Sequence, residues 1–153
     1  MNADLLQGLD RSEAESVLSL GKRMVLTSGA ELFHLGDVAE SIYLVARGRL
    51  RLTLPIEVRS REEHVMVEER SSGQTVGWSA LIPPYRFTLT ATAPLETEVI
   101  ALPREGLHDY FAAHPATGYA VSVNLASIIG NRLQLFQAMW LREIQRMVEL
   151  RCA

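Results

Sequence analysis

Between Met24 and Leu102 the chain breaks every few residues, and that rhythm limits the fold more than any other feature. Met24 to Leu26, Leu32-Phe33, Ile42 to Val45, Leu50 to Leu54 and Val65 to Val67 are short apolar runs that read as strands. Ser28-Gly29, Gly36-Asp37, Gly48, the charged Arg59 to Glu63 stretch and Ser72-Gly73 read as the turns between them. A further strand ends at Val76-Gly77, and Phe87 to Ala93 and Glu98 to Leu102 flank a turn at Pro94. Seven or eight short strands at this spacing predict a sandwich, a jelly roll or a closed barrel.

Helices are expected on both sides of this β segment. Leu5 to Leu20 reads as one helix, with Asp10 or Ser12 as cap, Glu13 and Glu15 in the first turn, and Gly21 ending it. Beyond Pro103, Arg104 to Ala113 is a short helix with Leu107, Tyr110 and Phe111 on its buried side. A second helix runs from about Ala116 to about Leu150 without a proline, roughly 50 Å at 1.5 Å per residue. Its apolar residues, Leu125, Ile129, Leu133, Phe136, Trp140, Ile144 and Met147, recur in steps of three and four, with Ile128, Leu135 and Met139 widening the stripe. Such a helix outruns a small β domain and predicts pairing with a second copy, against the alternative that it folds back over the strands. The expected organisation is a helical segment over 1–21, a β domain over 22–103 and two helices over 104–153.

Charge and composition exclude several classes. A formal net charge of -3 argues against wrapping nucleic acid through bulk charge. Of the 15 basic residues only Lys22 is a lysine, which reads as genome bias before function. No basic and apolar leader opens the chain, and no apolar run approaches the ~20 residues of a membrane span. The one cysteine, Cys152, excludes an intrachain disulfide and fits a reducing cytoplasm.

The stretch with most functional content is GQTVGWSALIPPYRFTLTATA, Gly73 to Ala93. Here a glycine opens one helical turn (Trp78 to Ile82) that Pro83-Pro84 stops. The first N–H groups of such a turn lack internal partners and face the positive end of the helix dipole, a setting that suits a phosphate or carboxylate. An arginine a few residues on, Arg86, could grip that anion. A plain turn between two strands is the alternative.

GAELFHLGDVAESIYLVARGRLRL (Gly29 to Leu52), the Gly77 cassette and the long terminal helix together resemble the cyclic-nucleotide-binding domain family, which includes catabolite-activator-type bacterial sensors. Gly29, Gly36, Gly48 and Gly77, with Asp37 and Tyr43 between them, carry the likeness. It implies an eight-stranded jelly-roll β-barrel, mainly β with an N-terminal helix, and a long C-terminal helix that closes over the ligand and forms a homodimer seam. It also implies that Gly77, Trp78, Ser79, Ala80, Arg86, Phe87 and Thr88 line the ligand cassette, with Asn131 on the long helix as a polar cap. The cassette departs from the family at two places. The family's glutamate for the ribose hydroxyl would stand at Trp78, and its phosphate-binding arginine at Phe87, with Arg86 one residue early. On a regular strand that slip turns the guanidinium to the opposite face, and losing such a contact costs on the order of 2–5 kcal/mol. Tight cyclic AMP binding is therefore not expected; the alternative, a genuine cyclic-nucleotide binder using Arg86, requires the Pro83-Pro84-Tyr85 loop to bulge or the register to shift. Two readings remain: a pocket for a flatter or more apolar ligand, using the Gly77 to Ala80 amides for an anion, or a cavity filled by Trp78 and Phe87.

Sensors of this family usually continue into a helix-turn-helix, and this chain ends a few residues after its long helix. It is not expected to read DNA by itself, but to be a partner-binding regulator or a piece of a larger protein, with Met1 favouring a short natural chain. Metal chemistry has little support, since His34, His64, His108 and His114 form no H-x-H or H-E-x-x-H pair. No nucleophile elbow is present, so no enzyme is expected. Glu62-Glu63 and Glu68-Glu69 read as a solvated hairpin. Arg47, Arg49 and Arg51 share one strand face, which is either ordinary barrel exterior or a docking face for an acidic partner.

Overall fold

The computed structural model describes residues 1–153 and gives eight strands in two antiparallel four-stranded sheets. The strands are β1 (Lys22–Leu26), β2 (Glu31–Phe33), β3 (Ser41–Arg47), β4 (Arg49–Val58), β5 (Arg61–Ser71), β6 (Thr75–Val76), β7 (Thr90–Thr92) and β8 (Thr97–Pro103). One sheet runs in the order β1-β8-β3-β6 and the other β2-β7-β4-β5. Each sheet keeps its own edges, so the strands make a sandwich and not the closed ring a barrel requires. The core lies between the sheets. Ile42 and Leu44 of β3, Leu50 and Leu52 of β4 and Leu102 of β8 are all buried there. Arg49 and Arg51 alternate with those β4 leucines and face water, as period-two geometry demands.

Three expectations need correction. The Arg59 to Glu63 stretch is not a loop: β4 and β5 pair from Arg49↔Ser71 out to Val58↔Arg61, and the reversal is confined to Arg59 and Ser60. Both adopt positive φ (50° and 63°), which suits a two-residue hairpin. The strand expected over Phe87 to Ala93 is regular only at Thr90–Thr92, because the preceding residues pair with the Gly36 to Ala39 segment instead. The single N-terminal helix is two pieces, a 3-10 turn at Asp4–Leu6 and α1 (Arg11–Leu18), separated by Gly8 at φ 84°. Asp10 caps α1: its side chain accepts from Glu13 N at 2.8 Å, and Glu13 accepts from Asp10 N at 3.3 Å.

Helix α2 (Arg104–Ala113) leads through His114 into α3 (Pro115–Cys152), 38 residues long. The two pack closely because Gly118 has no side chain; a Cβ there would come within 2.9 Å of Phe111 Cβ. Val121, Leu125, Ile128 and Arg132 form the buried face of α3, and no residue after Arg132 is fully buried. Leu135 and Phe136 still pack, half-buried, against the core, and residues 137–152 then extend about 24 Å past the sandwich. No helix is long and apolar enough to cross a membrane.

Candidate functional site: the Gly77 cassette

Strand β6 ends at Val76, and Gly77 turns the chain with φ 83° and ψ 40°. That left-handed conformation costs most residues about 1–2 kcal/mol and costs glycine little. Space makes the same demand. A Cβ on Gly77 would meet Phe87 Cε1 at 3.0 Å, Tyr43 Cδ2 at 3.4 Å and Phe33 Cε2 at 3.5 Å. A 3-10 turn follows at Trp78–Leu81, with Ser79 and Ala80 buried and Trp78 half-buried. Pro83-Pro84 is a cis peptide, and Tyr85 has φ 59°.

Beneath the glycine lies a stack of rings. Phe87 is 5 % exposed and lies parallel to Phe33, with centroids 3.7 Å and planes 9° apart. Tyr43 continues the stack, 6.0 Å from Phe33 at 25°. Burial, with help from the Glu40 charge, pushes the Tyr43 phenol above its ordinary range. Backbone pairing fixes Phe87 in this position: its N–H donates to Asp37 O at 3.0 Å, and its carbonyl accepts from Gly36 N at 2.8 Å.

The expected site residues therefore separate. Gly77 and Phe87 come together at the ring stack, Ser79 and Ala80 are buried in the turn that follows, and Trp78 is only half-buried. Arg86 faces outward, exposed, and its guanidinium donates to the Gly36 carbonyl at 3.0 Å. The cause is strand alternation: Arg86 bridges Val38 while its neighbour Phe87 turns inward. Thr88 is exposed on the same side as Arg86. Asn131 is exposed on α3, while the next residue, Arg132, enters the protein.

Two polar clusters around the cassette escaped the sequence reading. Arg104, the first residue of α2, donates to Ala39 O at 2.6 Å and to Ala80 O at 3.3 Å, and its guanidinium lies 4.0 Å from the Tyr85 ring centroid. It ties the end of the cassette turn to α2. The second cluster joins the N-terminus, β5 and α3. Arg132 Nε donates to Glu68 at 2.6 Å, Arg70 sits 4.0 Å from the same carboxylate, and Arg70 Nη2 donates to Asp4 at 3.1 Å. Asp4 also accepts from the Thr75 backbone N–H and hydroxyl. Burial lowers the ionisation range of Arg132, and Glu68 partly restores it. Glu68 is thus no solvated hairpin residue. It lies opposite inward-facing Leu52, and cross-strand partners share a face.

The arginines of the β3–β4 row have ordinary surface partners. Arg47 pairs with Glu96 at 2.9 Å and Arg51 with Glu69 at 3.0 Å, so the arginine row is already interleaved with carboxylates. No three histidine, cysteine or acidic side chains come together as a metal site would need.

Two antiparallel sheets, a glycine-led turn after β6 and a long terminal helix together make a regulatory-domain fold that known proteins share. The family model described as "Cyclic nucleotide-binding domain" matches residues 23–114, and the chain belongs to that family. It is similar to the cyclic AMP receptor protein of Thermus thermophilus, 30% identical over 135 residues, covering 85% of this chain and 57% of that protein. It is also similar to a lysophospholipase of Neurospora crassa, 31% identical over 111 residues, covering 72% of this chain and 7% of that protein. The chain thus spans about half of the first relative and a small part of the second. Among solved structures, the Thermus thermophilus catabolite activator protein superposes with a TM-score of 0.76 at 26% identity, covering 94% of this chain and 63% of that one. The N-terminal domain of a Streptomyces coelicolor transcriptional regulator shares the fold, with a TM-score of 0.71 at 22% identity over 87% of this chain and 91% of that one.

Proposed function

We propose that this chain is a non-enzymatic regulatory domain of the cyclic-nucleotide-binding family whose nucleotide seat is closed, and that it works through helix α3 and its partners. The observation that carries this reading is the Phe33–Phe87 stack against Gly77. The ring lies against Gly77 at the cassette turn, and both nearby guanidiniums are already committed, Arg86 to the Gly36 carbonyl and Arg104 to the Ala39 and Ala80 carbonyls. An anion placed there would lose its hydration without a facing positive charge, a penalty of several kcal/mol. Titration of the purified protein with cyclic AMP by calorimetry is expected to give no measurable binding at micromolar ligand. A constant in the micromolar range or tighter would overturn the reading.

Helix α3 supports homodimerisation as the working state. Leu133, Trp140 and Met147 are spaced by seven residues and are 59 %, 66 % and 54 % exposed. A heptad-spaced apolar row on a projecting helix matches the pattern by which two helices interlock. A regulatory protein partner could then read the paired helices, with no DNA contact by this segment itself.

A further inference from the structure

We infer that the protein carries a cleft built for a small apolar molecule, separate from the Gly77 ring stack, at the corner where the cassette turn meets α2 and α3. The inference goes beyond the reading above and does not depend on it, because the two sites are lined by different residues. The cleft has a volume of about 260 Å³. Leu81 and Ile82 close the cassette side, Phe111 the α2 side, and Val121, Leu125 and Ile129 the α3 side. At ~30 Å³ per liquid water that volume equals nearly nine waters, room for an apolar guest of roughly eight to twelve non-hydrogen atoms.

The lining also selects chemistry. Two polar side chains reach the cleft, His108 of α2 and Ser122 of α3. The Ser122 hydroxyl already donates to Gly118 O at 2.7 Å, so it can only accept. His108 is exposed at the mouth and can donate a ring N–H. The matching ligand is a medium-length hydrocarbon or aromatic body ending in one oxygen acceptor, such as a monocarboxylic acid. Its body would replace water against apolar walls, and its head would meet His108. No recognition of a nucleobase or phosphate is built into this lining.

Position gives the cleft its consequence. A guest there touches the cassette turn, the short helix and the long helix at once. Binding would favour one angle of α3 over others by its differential contacts with each.

The test uses the whole chain and sodium octanoate, followed by amide chemical shifts and by calorimetry. Saturable binding is expected, with shifts confined to residues near Leu81, Phe111 and Leu125. Ser122→Phe and His108→Phe place a ring in the cleft from positions that are exposed, so the fold should survive, as unchanged circular dichroism would verify. Each is expected to weaken octanoate at least tenfold, while Val25→Thr, on exposed β1 away from the cleft and from the α3 row, leaves it unchanged. Octanol binding more weakly than octanoate would support the assigned head group. The inference is overturned by three results: no saturable binding at millimolar octanoate, binding unaffected by both fillers, or binding lost with Val25→Thr. Shifts in these amides on dilution of the protein, with none on adding octanoate, would assign the cleft to a second copy and also overturn it.

Discussion

At Gly77 two independent demands fall on one residue, a positive φ and a ring 3.0 Å from where a Cβ would stand. Gly77→Ala should therefore cost more than the ~1–2 kcal/mol of left-handed strain alone, because Phe87 must also move. The Phe87 ring is itself a structural element of the core. Phe87→Ala is expected to lower stability by about 3–5 kcal/mol, the range for truncating a buried phenylalanine, read from urea unfolding midpoints. A loss below about 1 kcal/mol would mean that the ring does not fill the space under the cassette. Tyr43 adds a pH signature. Its unfolded phenol ionises near pH 10, and burial holds the folded one higher. Above pH 10 the unfolded state therefore loses its proton first, and stability falls as pH rises through that window. Tyr43→Phe should flatten this alkaline decline in a thermal unfolding series; an unchanged slope would count against burial as the cause. Much of this was legible in the sequence. The glycine, the one-residue slip between Arg86 and Phe87 and the aromatic character of the site all come from adjacent positions. The carbonyl that receives Arg86 was not, because Gly36 lies 50 residues away and a backbone acceptor leaves no trace in residue type.

Between elements, the joint that matters most is the buried charge cluster that ties α3 to β5 and the N-terminal turn. Hydrophobic contacts along Val121, Leu125 and Ile128 hold α3 against the sandwich, but they allow sliding and rotation. The Arg132–Glu68 pair fixes one register, since a guanidinium 9 % exposed can be satisfied only where a carboxylate waits. Arg132→Met should cost about 3 kcal/mol by leaving Glu68 short of a partner, with Arg70 at 4.0 Å softening the loss. Arg132→Met combined with Glu68→Leu should recover most of it, because two apolar side chains need no counter-charge. Chemical denaturation of the three proteins checks this; a double variant no better than the single would show that packing, and not the ion pair, was lost. Sequence pattern did not reveal the cluster. The pair Glu68-Glu69 sits in a run of charges that reads as solvated, and only the register Leu52↔Glu68 turns one of them inward. The same register extended β4 and β5 through residues that look like loop. Charged side chains are tolerated on a two-stranded ribbon that projects from its sheet, so composition misjudged its length. The opposite error occurred at the N-terminus, where apolar spacing ran on through Gly8 although the backbone there takes a positive φ.

For the molecule as a whole, the question is what the outer half of α3 is for. A helix segment held to its domain only by Leu135 and Phe136 at its start is marginal in water even with good helix formers. Yet this one carries Leu133, Trp140, Leu141, Met147, Val148 and Leu150 in the open. Exposing that much apolar surface is unfavourable in a monomer and favourable at an interface. The strand rhythm and the helical period announced both halves of this architecture, but a single chain cannot announce its partner, because an apolar row shows that something covers it and not what does. A parallel or antiparallel pair would bury the 133, 140 and 147 row, and a charge placed in the middle of that row would have to be desolvated without a partner. Trp140→Glu should therefore shift the protein from twice 17.0 kDa to 17.0 kDa in sedimentation equilibrium, and lower the helical signal as the freed segment frays. The sandwich itself should remain folded, because every fully buried residue of α3 lies at or before Arg132. If the unaltered protein sediments at 17.0 kDa up to high micromolar concentration, a second copy is not what covers α3, and the apolar row must instead meet a different chain.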